Sequence, residues 1–301
     1  MIFGKQPCRS FLNSSCESMT NKRKMKATLD YAKPGNLIGN RILSGLLALK
    51  YRVTEQILLR IMRSHYRVLY EKGKDQGLIT IVIATYNRGK ILTERTIPSI
   101  LNQSYQNFEI LVIGDKCIDN TPLLITNLKD SRIRFYDLPQ RGKYPSNAES
   151  CWFVQGVAPR NKGLKLAKGS WLAWISDDDI LLPHHLEELL RSAKQGNYEF
   201  VSAAYTCEKN GEIITRRASD YNPPIGGMQT WLYRSYLKFF KWNIHSWRKS
   251  WDRPCDYDLQ YRMLSAGVRM GFIDDIVAHV PAVEGTNTVG LEAQRRSVGI
   301  T

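Results

Sequence analysis

The chain has 301 residues, 43% of them hydrophobic, which suits one large α/β domain with an appendage and is too apolar for a disordered chain. Its net charge of +15 is uneven, because residues 1 to 77 carry fifteen Lys/Arg against five Asp/Glu and so hold +10 of the excess. Six scattered cysteines (Cys8, Cys16, Cys117, Cys151, Cys207, Cys255) form no metal knuckle or redox pair and read as incidental thiols in a reducing compartment.

A Ser/Asn/Cys/Lys-rich stretch from Ser10 to Lys26 has little apolar periodicity and reads as mobile. From Asn36 to Tyr70, Ile38, Ile42, Leu46, Leu49, Val53, Ile57 and Ile61 recur every three or four residues. Arg41, Lys50, Arg52, Arg60, Arg63 and Arg67 interleave with them, which predicts one or two amphipathic basic helices. Such a segment either lies on an anionic membrane surface or packs against the main domain with its charges solvated. No run approaches the roughly 20 apolar residues of a spanning helix. Met1 to Arg9 lacks a signal-peptide core, so a cytoplasmic location is expected, peripheral on the inner membrane face if the helices bind lipid.

Leu78 to Thr85 is rich in β-branched residues and bounded by Gly77 and Asn87-Arg88-Gly89, which predicts a buried parallel strand. A helix over Lys90 to Asn102 follows, then a second buried strand from Phe108 to Gly114 that ends at Asp115. Asp119-Asn120-Thr121-Pro122 starts a helix. Ile133 to Tyr136 is a short strand, Asn161 to Ala167 a helix, and Trp171 to Ile175 a fourth strand, which ends in Asp177-Asp178-Asp179. Strand alternates with helix, predicting a doubly wound, mostly parallel sheet with its ligand site beyond the carboxyl ends of the strands.

Thr85, Tyr86 and Arg88 close the first strand, Asp115 the second, and the three acids the fourth, so all converge on one rim. Three adjacent carboxylates repel one another unless a cation is held there, which points to a divalent metal carrying a phosphorylated ligand; a solvated turn or helix cap is the plain alternative. No Walker loop or Gly-rich dinucleotide fingerprint follows the first strand, which removes NTPases, kinases and dehydrogenases. Further on, Tyr198 to Tyr205 reads as a strand and Asn210-Gly211 as the hairpin turn into Glu212 to Arg216. The aromatic segment Trp231 to Trp251 suits either stacking on sugar rings or interior packing.

Ile81 to Arg88, Ser99 to Ile110, Arg160-Asn161-Lys162-Gly163-Leu164 with Ala167-Lys168-Gly169, the acid cluster, and Asp256-Tyr257-Asp258-Leu259 with Arg262 together resemble the family 2 glycosyltransferases, in the right order over about residues 78 to 290. The resemblance implies a GT-A fold, a nucleotide-diphosphate sugar donor (a UDP-sugar favoured), Mn²⁺ or Mg²⁺, inversion at the anomeric carbon, and a glycan, polysaccharide or glycolipid acceptor. It divides the chain into a basic extension (1–77), a GT-A domain (78–290) and a tail (291–301).

Carried onto this sequence, the resemblance puts Thr85, Tyr86 and Arg88 in the nucleotide pocket, Asp115 on the base, and Arg160 at a phosphate or the sheet rim. Counting back from Pro183 makes Asp178 the metal ligand, with Asp177 near the ribose or metal and Ser176 replacing the family's first acid. Asp256 falls at the general base, Asp258 at a structural first-turn acid, and Ile225 to Thr230 at a loop where backbone approaches the substrates. Glu284 falls at a further metal-ligand position, with His279 as the nearby second candidate. Two rivals remain: another metal-dependent nucleotide-sugar enzyme, such as a nucleotidyltransferase, and a nonenzymatic basic protein binding anionic membrane or nucleic acid. Nucleic acid is the less favoured partner.

Overall fold

The computed structural model describes residues 34–71, 77–217, 226–249 and 254–297. The stretch Ser10 to Lys26, Ile225 and Trp251 lie outside them, as does the end of the expected tail. A single helix, α1 (Pro34–Glu71), comes first. β1 (Ile79–Thr85) leads through α2 (Gly89–Ile91), a π-helical turn (Leu92–Thr96) and α3 (Ile97–Leu101) to β2 (Phe108–Gly114). α4 (Thr121–Thr126) leads to β3 (Ile133–Asp137), and α5 (Ala148–Trp152) and α6 (Val157–Leu166) lead to β4 (Trp171–Ser176). Then come β5 (Ile180–Leu181), α7 (His185–Gln195), the hairpin β6 (Phe200–Lys209) and β7 (Glu212–Arg216), and β8 (Leu232–Arg234). α8 (Ser246–Lys249), α9 (Cys255–Ala266), β9 (Met270–Val280) and α10 (Gly290–Ser297) follow.

Among the described residues nine strands form one sheet in the order β3-β2-β1-β4-β8-β6-β9-β5, with β7 paired to β6. β1 to β4, β6 and β9 run in one direction, and β5, β7 and β8 run against them. β1, β2 and β4 are buried along their whole lengths because helices cover both faces, which is why their sequences are unbroken apolar runs. The pleat divides them: Ile79, Ile81, Ile83, Trp171 and Ala173 enter one core, and Val82, Leu172 and Trp174 the other. α6 lies close on β1 because position 163 is glycine; a Cβ there would collide with the Val82 side chain. The hairpin turn is Asn210-Gly211, with φ of 54° and 83°.

α1 docks through one face. Leu59 is buried in the second core, with Met62 and Tyr66 packed against it. Arg262 of α9 pairs with both Glu55 of α1 and Asp258, and Arg63 pairs with buried Glu199 at the start of β6. In the aromatic segment, Trp231, Tyr233, Phe240 and Trp242 are buried and belong to the core. Trp247 instead lines a cleft of about 470 Å³ together with Tyr144, Asn161 and His245. The cysteines correct the reading of six incidental thiols: Cys151 and Cys207 are each disulfide-bonded, and Cys117 and Cys255 are free.

Candidate functional site

The parallel strands β1, β2 and β4 end level with one another, Ala84 opposite Ser176 and Thr85 opposite Gly114. The polar residues just past these ends therefore meet. Thr85 Oγ1 donates to Asp177 Oδ2 at 2.7 Å. Arg88 reaches across the same gap, with Nη2 donating to Asp178 Oδ2 at 2.9 Å and Nε 3.7 Å from Asp177 Oδ1. Arg95, from the π-helical turn, donates to the Asp178 backbone carbonyl at 2.6 Å. The sequence brings Asn87 into a left-handed conformation (φ 54°) between these groups, and its side chain accepts from Ile118 N–H, which ties the first loop to the second.

Asp177, Asp178 and Asp179 are all buried. Burial raises the Asp177 carboxyl against the pull of Arg88, and raises the Asp179 carboxyl further with help from the neighbouring Asp178 charge. Asp178 Oδ1 is buried without a hydrogen-bond partner. An unpartnered carboxylate oxygen beside further carboxylates is a hard-oxygen donor set, and it fits Mn²⁺ or Mg²⁺. Among the described residues no group of three or more His, Cys, Asp or Glu stands ready to hold a metal. Glu284 is exposed on the turn after β9. His279 lies opposite Ile180, next to Asp179 in sequence, but its ring nitrogens engage Thr206 Oγ1 at 2.9 Å and Glu208 Oε1 at 3.3 Å.

Asp115 is fully buried at the end of β2, its N–H donating to the Thr85 carbonyl at 2.9 Å. Gly142 N–H and the Tyr144 hydroxyl donate to its two carboxylate oxygens at 2.9 and 2.7 Å. Burial pushes its carboxyl up, and those two donors and nearby Arg141 pull it back. The Arg141 guanidinium lies over the Tyr86 ring at 3.7 Å. Both hydrogen-bonding oxygens of Asp115 are thus occupied by the segment after β3, a feature the sequence reading missed. Its only sequence signal was Arg141-Gly142-Lys143-Tyr144 bracketed by Pro139 and Pro145.

Arg160 is buried, donating to the Gln155 carbonyl at 3.1 Å and to Cys255 Sγ at 3.5 Å, with its guanidinium 4.8 Å from the centre of Trp242. In this structure it ties α6 to the start of α9. Asp256 is buried in the first turn of α9, its Oδ1 accepting from Tyr257 N–H at 2.9 Å. Asp258 is a structural acid, as its spacing suggested, bonded to Arg262 at 2.8 Å. The Gly226 carbonyl is held by Gln260 of α9 and Trp231, and a Cβ at Gly226 would collide with the Ala203 carbonyl.

The sheet is mixed α/β, mostly parallel in its central strands, with a buried acid cluster past the end of β4. The family model for glycosyl transferase family 2 matches residues 80–151 and 154–253, and the chain belongs to that family. The matched residues end just before Asp256. A Campylobacter jejuni GalNAc(5)-diNAcBac-PP-undecaprenol beta-1,3-glucosyltransferase is 32% identical over 137 residues, 45% of this chain and 40% of the relative. Escherichia coli WfgD, a UDP-Glc:alpha-D-GlcNAc-diphosphoundecaprenol beta-1,3-glucosyltransferase, is 29% identical over 46% of this chain and 50% of the relative. The chain thus spans half or less of the length of these relatives. The crystal structure of S. aureus TarS 1-349 in complex with UDP-GlcNAc superposes with a TM-score of 0.53 at 17% identity, covering 69% of this chain and 60% of that one, which establishes the GT-A fold.

Proposed function

We infer that the chain transfers a sugar from a nucleotide-diphosphate sugar, a UDP-sugar first, to a glycan, polysaccharide or lipid-linked acceptor, with inversion at the anomeric carbon. The observation that carries this reading is the buried Asp177-Asp178-Asp179 cluster at the end of β4, bonded to Thr85 and Arg88 at the end of β1 and keeping an unpartnered Asp178 oxygen. The names of relatives support the donor and acceptor classes, since WfgD is named for UDP-Glc and a diphosphoundecaprenol acceptor, and TarS binds UDP-GlcNAc.

Asp178, with Asp177 beside it, would hold Mn²⁺ or Mg²⁺, and Glu284 is proposed as a further ligand in preference to His279. When bound, that ion neutralises charge on the leaving diphosphate. Arg88 is proposed to pull toward the same diphosphate, and Tyr86 to face the base. Asp115 is proposed to read the base through the second lone pair of each oxygen, its first being taken by the Gly142 and Tyr144 donors that hold the carboxylate in place. Arg160 is proposed to act by holding the start of α9 in place. There the Asp256 carboxylate takes the proton of the acceptor hydroxyl while that hydroxyl's oxygen bonds to the anomeric carbon and the bond from that carbon to the diphosphate breaks.

The test is release of nucleotide from UDP-, GDP- and dTDP-sugars, with and without Mn²⁺, by wild type, Asp256→Asn and Asp178→Ala. Metal-dependent turnover of one donor, lost in both variants, is expected. Full turnover in both variants, or no donor turned over by wild type with any acceptor, would sink the reading. A nonenzymatic role in the extension predicts instead that deleting residues 1 to 77 abolishes all function while donor chemistry was never present.

A further inference from the structure

α1 carries two opposite faces of different chemistry. Glu55, Leu59, Met62 and Tyr66, spaced by four, three and four residues, turn toward the domain. Ile42, Leu46, Leu49, Val53, Ile57 and Ile61 follow the same spacing on the far side, and each is 52–62% exposed. A stripe of six large aliphatic side chains runs along the helix for about 28 Å at 1.5 Å per residue. Single exposed aliphatics are ordinary, but a continuous row of this length is not.

The charge beside this stripe is one-sided. Lys50, Arg52 and Arg60 are exposed. Between residues 34 and 70 the only acid is Glu55, and it is buried against Arg262. Arg63, which sequence spacing grouped with the exposed cations, turns inward to Glu199. The acid has been drawn off the outer face and the remaining cations flank an apolar strip, while no described helix is long and apolar enough to cross a membrane.

We propose that the outer face of α1 binds the surface of an anionic lipid bilayer, with Leu46, Leu49, Val53 and Ile57 sunk among the acyl chains and Lys50, Arg52 and Arg60 at the headgroups. Docking and membrane binding are then not alternatives, because they use different faces of one helix. A self-associating stripe would want acids or neutral residues at its margins, whereas two such helices would bring like charges together. One consequence rests on the glycosyl-transfer reading. α1 packs on α9, the helix that carries Asp256, through the Glu55–Arg262–Asp258 cluster, so the helix proposed to lie on lipid is docked directly on the one that holds the proposed base. That proximity suits an acceptor that is itself lipid-linked.

The experiment is flotation of the purified full chain with vesicles of phosphatidylglycerol and phosphatidylcholine in equal parts, or of phosphatidylcholine alone, without donor. Wild type should prefer the anionic vesicles at least tenfold and lose that preference in high salt. The variant Leu46→Gln/Val53→Gln/Ile57→Gln should bind at least tenfold more weakly with an unchanged melting temperature, since all three side chains are already in water. Lys50→Glu/Arg60→Glu should lose the anionic preference. Equal flotation of the triple variant and wild type would overturn the proposal. So would a wild type that stays off vesicles and is dimeric by light scattering. Because no donor is present, either failure leaves the transferase reading standing, and loss of transferase activity alone leaves this one standing.

Discussion

Two of the buried charge clusters among the described residues are built differently. Around Arg262, a guanidinium with little exposure meets Glu55, Asp258, the Lys241 carbonyl and the face of Tyr51, so its donors are consumed by partners from α1, α9 and the segment before α8. Around Asp178, three carboxylates are buried together, only Asp177 and Asp178 pair with Arg88, and Asp178 keeps an oxygen with no hydrogen-bond partner. Opposed charges satisfied internally hold elements together. Carboxylates buried in excess of their partners are expensive to keep and indicate a ligand that completes them.

The comparison predicts opposite outcomes in activity and stability. Asp256→Asn should lower turnover about a thousandfold, the range for loss of a positioned base, with an unchanged melting temperature. A fall of less than tenfold would remove Asp256 from the chemistry. Arg262→Met, which strands two buried acids, should cost about 3–5 kcal/mol in urea unfolding. Adding Glu55→Gln should recover part of that loss; no recovery would mean that the cluster is not coupled. At the rim, Asp178→Asn removes a repelled charge and should change stability by less than about 1 kcal/mol while abolishing turnover.

A third buried group sharpens the same contrast through pH. His185 is enclosed, its Nδ1–H donating to the Val277 carbonyl at 3.1 Å, and burial pulls its ring from the ordinary 6.5 down to about 4. The unfolded chain therefore takes up a proton before the native one does. The contribution is full above about pH 6.5 and is lost as pH falls toward about 4, on the order of 3 kcal/mol at most. His185→Gln should flatten that acid limb in a pH series of urea midpoints. The smallest effect is expected of Tyr144→Phe, which removes one of the two donors that hold Asp115 and should alter the donor KM several-fold, about 1 kcal/mol, with kcat unchanged. An unchanged KM would detach this segment from the base pocket.

Much of the rim was legible in sequence because the signals were local. Apolar runs fixed β1, β2 and β4, and acids immediately past a buried strand must sit at its end. Asn-Gly located the β6–β7 turn for the same reason, since positive φ favours those residues. α6 begins at Val157, four residues before the helix read from Asn161, because Pro159 is tolerated in a first turn and gave no stop. The π-helical turn that aims Arg95 at Asp178 left no mark in apolar spacing. The Glu55–Arg262 and Tyr144–Asp115 contacts join residues 207 and 29 positions apart, where periodicity carries no information. Arg160 was placed by resemblance at a phosphate or the sheet rim, and only packing shows its Nη1 directed at Gln155 and Cys255.

The central claim, that the Asp178 cluster is completed by a metal–nucleotide ligand while the Arg262 cluster is complete in itself, is tested most directly by calorimetric titration of UDP in the presence and absence of Mn²⁺. Wild type and Asp178→Asn, which keeps an oxygen to accept from Arg88, should share a melting temperature, with UDP binding wild type only when Mn²⁺ is present and the variant at least tenfold more weakly. Equal UDP affinity in the two proteins, or affinity indifferent to Mn²⁺, would contradict the account.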